Sequence, residues 1–174
     1  DIAIAIDTWD DIFSDFDPRP LSERTLSEDF ILELTKRYHE SRKGHTVITI
    51  CAPGTLRNDR AERIASTRIR LYLAHRAGLA NAAIRRQRMR GVIFTLCGFV
   101  FLSALTLMGY EFKPWFGNLG FQFVEIILMP LGWFGIWEGV SKIVDVDRLL
   151  LQEAALYGRL AHATYRFTYL EDEE

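Results

Sequence analysis

The two longest runs of apolar side chains lie in the second half of the chain, with charged segments on either side of them. Residues 91–110 carry no charged side chain. As a helix rising about 1.5 Å per residue, they span about 30 Å, the thickness of a bilayer core. Residues 121–140 form an equally long run that carries Glu125 and Glu138, and 111–120 between them hold a proline and two glycines. The pattern predicts two transmembrane helices joined as a helical hairpin by a short external loop.

The alternative is that both runs are buried core helices of a soluble protein. A globular domain rarely contains two successive twenty-residue helices that are apolar on every side, so the membrane interpretation is favoured. The position of the first run in the middle of the chain also excludes a signal peptide.

The distribution of cations predicts the orientation of the hairpin. Four arginines precede the first run, namely Arg85, Arg86, Arg88 and Arg90, and we call them the arginine collar. The connecting loop has one cation, Lys113, whereas Lys142 and Arg148 follow the second run. Because cytoplasmic flanks carry the excess of Lys and Arg, both termini are expected in the cytoplasm, with the protein in an inner (plasma) membrane.

Strand and helix patterns flank the apolar runs. Residues 2–6 alternate isoleucine with alanine and 45–52 are rich in β-branched residues, so both are predicted strands around a helix over 27–42. After the second run, a helix over 141–161 and a strand over 163–170 are expected. Since one strand is not stable alone, the late strand is predicted to join the two early ones in a small cytoplasmic α/β domain built from both arms. The β-α-β order favours a parallel, right-handed crossover, and the strand order is not predicted.

The expected organisation therefore has six parts in chain order. They are a cytoplasmic β-α-β arm over 1–57, an arginine-rich stalk helix over 58–90, a transmembrane helix over 91–110, an external loop over 111–120, a transmembrane helix over 121–140, and a cytoplasmic helix and strand over 141–174.

The arginine collar is the most specific chemical signal. Cations beside a membrane attract anionic lipid by about 1 kcal/mol each, so the collar is a candidate lipid-headgroup site. The alternative is that it only sets the topology. Nucleic-acid binding by the stalk is disfavoured, because Tyr72 is the sole aromatic residue among the ten arginines from Arg57 to Arg90.

Two of the polar residues inside the predicted spans are candidates for a function. Glu125 lies about one turn inside the second span, and Thr106 lies at a similar depth in the first, where it could donate a hydrogen bond. A carboxylate at this depth suggests an ion or proton relay. The favoured interpretation is a shallow glutamate that reaches the headgroups.

A run of aspartates follows the first predicted strand. Carboxylates of this kind are ligands for Ca²⁺ or Mg²⁺, but their spacing is not that of an EF-hand. The favoured interpretation is a solvated loop whose aspartates cap turns or face the arginine-rich helix. The five residues are Asp7, Asp10, Asp11, Asp15 and Asp17.

Composition removes several classes of protein. The chain has 174 residues, 49% of them hydrophobic, and a net charge of −2, which excludes a disordered charged tail. Two cysteines exclude a disulfide scaffold. Dinucleotide, phosphate-loop, serine-hydrolase and zinc-protease motifs are absent, and no histidine lies in a span, so no cofactor is predicted.

The sequence thus predicts a non-enzymatic two-span membrane protein acting as an oligomeric scaffold, sensor or accessory subunit. Gly98, Gly132, Gly135 and Gly139 permit close helix approach, which favours a homo-oligomer or a subunit of a larger complex. The alternative is a small oligomeric channel or transporter component with Glu125 near the pathway. A weaker alternative is a membrane-tethered, metal-dependent enzyme that uses the aspartate loop.

Overall fold

The computed structural model describes residues 2–41 and 47–170, except for the side chains of 110, 112–119 and 121. Within these residues the elements in chain order are β1 (Ile2–Ala5), α1 (Glu28–Glu40), β2 (Val47–Pro53), α2 (Asp59–Val144), α3 (Arg148–Ala161) and β3 (Thr164–Leu170). The chain forms two compact units. The sheet unit comprises 1–79 and 152–174, and the helical unit comprises 80–151.

A three-stranded parallel sheet in the order β1-β2-β3 organises the sheet unit. Ile4 pairs with Ile50, and Ile50 pairs in turn with Phe167. This pairing confirms that the strand after the apolar runs joins the two strands before them. The central strand β2 therefore holds together segments that lie more than 100 residues apart in the sequence.

The core of the sheet unit lies on one face of the sheet. Side chains alternate along each strand, so Ile4, Ile50 and Phe167 all point to the same side. The helices contribute buried side chains there, including Leu34 of α1, Ile69 and Leu73 of α2, and Leu156 and Leu160 of α3.

The helical unit is built from two arms of α2 that pack against each other. Helical backbone runs from Asp59 to Val144, yet Gly91 lies against Gly139 and Gly98 against Ile136. Contacts in this order require the second arm to run antiparallel to the first, as a hairpin does. The backbone of 111–120, which was predicted to be an external loop, is helical together with the rest of α2, and the side chains of 112–119 lie outside the described residues.

The predicted helix over 141–161 is wrong in one respect, because it is interrupted at 145–147. Asp147 ends the interruption by accepting a hydrogen bond from the Leu149 amide at 2.9 Å, as an aspartate does at a helix start. The Ser141 hydroxyl donates to Asp145, and Val146 is buried. A second helix therefore begins where the sequence pattern suggested continuity.

Candidate functional site

The four collar arginines lie on the first arm of α2, and all of them are exposed. Among the described residues, none of the four donates a hydrogen bond or forms an ion pair. Some arginines outside the collar are partnered: Arg19 binds Asp17, and Arg37 binds Glu33 at 2.6 Å. The collar is therefore left with its full capacity to bind anions from outside the chain.

Two of the collar arginines line a groove of about 380 Å³. Arg85 and Arg88 are three residues apart and so share one side of the helix. The groove is completed by side chains from the turns of the helix before and after this pair. These residues are Asn81, Ile84, Met89 and Val92. The groove thus places two guanidinium groups and an amide beside apolar side chains, which suits a ligand with an anionic head and an apolar tail.

Beyond the collar, the surface of both arms is apolar. Ile93 and Phe99 of the first arm and Phe134 and Trp137 of the second are more than half exposed. In the most apolar 18-residue stretch of the first apolar helix, only 17% is buried within the chain. In the corresponding stretch of the second, the buried share is 11%. Both helices are long and apolar enough to cross a membrane. A core helix of a soluble protein would be buried on these faces.

The two intramembrane polar residues are not joined to each other. The Thr106 hydroxyl donates to the Leu102 carbonyl oxygen of its own helix at 2.9 Å. Glu125 is half-buried and lies at intervals of seven residues from Gly132 and Gly139, both of which are buried. Glu125 therefore shares the face of the second arm that packs against the first, whereas Thr106 is used within its own helix.

The aspartate loop is largely occupied with its own backbone and side chains. Asp11 accepts hydrogen bonds from the amides of Asp7 and Thr8 at 2.6 and 2.9 Å. Asp10 forms an ion pair with Arg24. Across the described residues, no group of three or more His, Cys, Asp or Glu side chains is arranged to hold a metal ion. Capping of a turn, one of the two roles favoured from the sequence, is what Asp11 performs.

Asp17 is the buried anchor of this loop. Arg19 donates to its two carboxylate oxygens at 2.9 and 2.7 Å, and the Thr25 amide donates at 2.8 Å. The hydrogen bonds from Arg19, followed by that from the Thr25 amide, hold the pKa of the Asp17 carboxyl well below its usual range. Exposed Asp15 stands beside it in the same run. The two neighbouring carboxylates thus have opposite surroundings, which the sequence did not distinguish.

Asn81, Met89 and Val92 line the groove with Arg85 and Arg88, but they were not predicted from the sequence. The signal that could have found them is their helical spacing from these two arginines. Comparison of the chain with protein-family models, curated proteins and solved structures gives no match. The functional interpretation therefore rests on the geometry of the chain's own residues.

Proposed function

We propose that this chain is a two-span membrane protein whose arginine collar binds the phosphate groups of anionic lipids at the cytoplasmic surface. The observation that carries the proposal is the exposed, unpartnered state of the four collar arginines at the start of an apolar helical surface. Guanidinium groups bind phosphate through paired hydrogen bonds, and lysine does not reproduce this geometry. The collar has four cations, whereas the segment that connects the two spans has one, Lys113. This difference in positive charge supports a cytoplasmic position for both termini.

The groove between Arg85 and Arg88 suits one lipid molecule. Its two guanidinium groups would bind the phosphate, while Met89 and Val92 would contact the first carbons of an acyl chain. Arg86 and Arg90 do not line this groove, so we assign them to the general attraction of the anionic surface. Each cation near such a surface contributes about 1 kcal/mol.

The biochemical role that we propose is that of a non-enzymatic, oligomeric scaffold, sensor or accessory subunit of a membrane complex. A lipid-bound collar would hold the chain at the membrane, and the sheet unit would offer its surfaces to other proteins or to further copies of the chain. Two helices bury little surface against each other, which supports association with further subunits.

Native mass spectrometry of the full chain with phosphatidylglycerol tests the lipid site. We expect Arg85→Gln/Arg88→Gln to weaken lipid retention at least tenfold, since about 2 kcal/mol is removed. The matched control is Arg60→Gln/Arg63→Gln, which removes two exposed arginines with the same spacing from the same helix but outside the collar. This control should retain lipid as the unmodified chain does.

Two further measurements complete the test. Arg85→Lys/Arg88→Lys should keep the attraction to an anionic surface but lose selectivity for phosphatidylglycerol over phosphatidylcholine. The orientation of each variant is verified by labelling a cysteine introduced at Asp172, which should stay protected in intact cells. Undiminished lipid retention by a correctly oriented glutamine variant would reduce the collar to a topology signal.

A further inference from the structure

A single aromatic side chain stands out of the loop that follows β1. Phe16 is 97% exposed, whereas the next residue, Asp17, is 8% exposed. The backbone on both sides of Phe16 is held in place: Ser14 donates to the Thr25 carbonyl at 2.9 Å, and Arg24 donates to the Asp17 carbonyl at 2.8 Å. A large apolar ring presented by a fixed loop loses little entropy on binding, which is typical of a side chain that anchors an interface.

The surroundings of Phe16 are acidic. Phe16 borders a cavity of about 600 Å³ whose lining includes four carboxylates and no basic side chain. The carboxylates belong to Asp10, Asp15, Glu28 and Asp29. This charge opposes insertion of Phe16 into an anionic membrane surface. It suits a partner that carries cations around an apolar centre.

The sheet unit itself contains a surface of that kind. A groove of about 320 Å³ on α2 is lined by Ser22, Arg63, Ile64, Thr67, Arg68 and Leu71. Leu71 is 59% exposed, and Arg60 lies exposed one turn before Ile64. A cavity of about 150 Å³ is enough to hold benzene in a protein interior, so the groove has room for a phenyl ring.

We infer that the Phe16 loop of one copy of this chain docks into the α2 groove of a second copy. The ring of Phe16 packs against Ile64 and Leu71, and Asp15 faces Arg60 and Arg63 across the contact. The proposed function includes self-association, and this interface specifies how the copies would associate. In that respect the inference rests on the proposed function.

Complementarity is the reason for choosing a second copy as the occupant. Each surface has an apolar centre, and their charges are of opposite sign. Both belong to the same unit, so every copy brings both halves of the contact. Opposite charges that meet around a buried aromatic ring favour one register and discourage like-charged pairings.

Disulfide mapping between two differently tagged copies tests the contact directly. One copy carries Phe16→Cys and the other Leu71→Cys, and both are co-expressed as full chains and purified in lipid nanodiscs. We expect a crosslinked heterodimer under mild oxidation. The matched control replaces Leu71→Cys by Leu170→Cys, an exposed leucine outside both surfaces, and should crosslink at least tenfold less. Equal crosslinking by the two pairs would overturn the interface.

A charge exchange provides a second, independent test. Asp15→Arg in one copy, or Arg60→Glu/Arg63→Glu in another, should each weaken self-association at least tenfold, because like charges then meet. Mixing the two variants should restore association, since each reversed surface then meets its opposite. Failure of the mixture to recover would contradict a contact between copies, even if each variant alone loses association.

Retention of phosphatidylglycerol is measured on the same samples. These substitutions lie outside the collar, so lipid retention should be unchanged in all of them. Loss of association with lipid retained supports the interface. Self-association that stays intact in Phe16→Ala and in both charge variants would refute it and leave the lipid site standing.

Discussion

The sheet unit and the helical unit place their large and small side chains in opposite ways. In the sheet unit, large apolar residues such as Leu34, Ile50 and Leu160 are fully buried. In the helical unit, glycines occupy most of the buried positions among the described residues, with Leu105 one of the few large exceptions, and large residues such as Phe99 and Trp137 point outward. The same apolar residue types therefore serve inside one unit and outside the other.

This difference shows which surroundings each unit is built for. Water drives large apolar side chains together, so the sheet unit is stabilised mainly by burying them. A lipid environment provides no such force between helices, and close backbone approach then supplies the stabilising contacts. The glycine positions of the helical unit fit the second situation. We expect substitutions to have different consequences in the two units for this reason.

The largest effect is expected in the core of the sheet unit. Leu34→Ala should lower the free energy of unfolding by about 2–5 kcal/mol, because it removes a fully buried side chain and leaves a cavity. Leu32→Ala on the same helix is the matched control. Leu32 is 69% exposed, so its loss should change stability by no more than about 0.5 kcal/mol. Denaturant unfolding followed by Trp9 fluorescence, with the other three tryptophans replaced by phenylalanine, measures both, and equal effects would contradict the assigned core.

Replacing two glycines of α2 by alanine should change stability in opposite directions, and both changes should be smaller than that of Leu34→Ala. A Cβ added at Gly98 would come within 2.7 Å of the Ile136 backbone nitrogen, whereas one added at Gly78 meets nothing within 4 Å. Gly98→Ala should therefore destabilise the pair of arms by about 1–3 kcal/mol. Gly78→Ala should stabilise the helix by up to about 1 kcal/mol, since alanine is the better helix former.

Thermal unfolding in detergent micelles compares these two variants. Gly135 provides an intermediate case, because an added Cβ would lie at an ordinary contact distance of 3.4 Å from the Gly98 Cα. A Gly98→Ala variant as stable as Gly78→Ala would show that close approach of the arms is not what holds the helical unit together.

The smallest effect concerns the acid limit of the sheet unit. Because hydrogen bonds from Arg19 and the Thr25 amide lower the pKa of Asp17 in the folded state, its contribution is present above the unfolded value of about 4. That contribution is lost as the pH falls from about 4 towards the lower folded value. Asp17→Asn should be less stable at pH 7 and lose less stability between pH 5 and pH 2. Exposed Asp7→Asn, in the same run of aspartates, is the control and should lose as much stability as the unmodified chain over this pH range.

Local pattern was sufficient for most of the elements. The alternation of Ile2–Ala5, the aromatic alternation of Tyr165, Phe167 and Tyr169, and the two apolar runs each predicted the observed strand or helix. These features have a period that a sequence displays directly, because a side chain's position along a strand or helix decides which face it occupies. The arginine collar was visible for the same reason, as four cations of one type within six residues.

The amino-acid sequence by itself thus determined the elements, the apolar runs and the cationic collar. The tertiary structure alone decided the strand order, the helix break at 145–147 and the burial of Asp17 beside exposed Asp15. It also decided the exposure of Phe16 and the α2 groove at Ile64 and Leu71. Period and composition describe each segment separately. Burial and strand pairing depend on contacts between segments far apart in the chain, such as β2 with β3 or Arg68 with the Arg24 carbonyl. Such contacts form only when the chain folds, so the pattern within one segment does not display them.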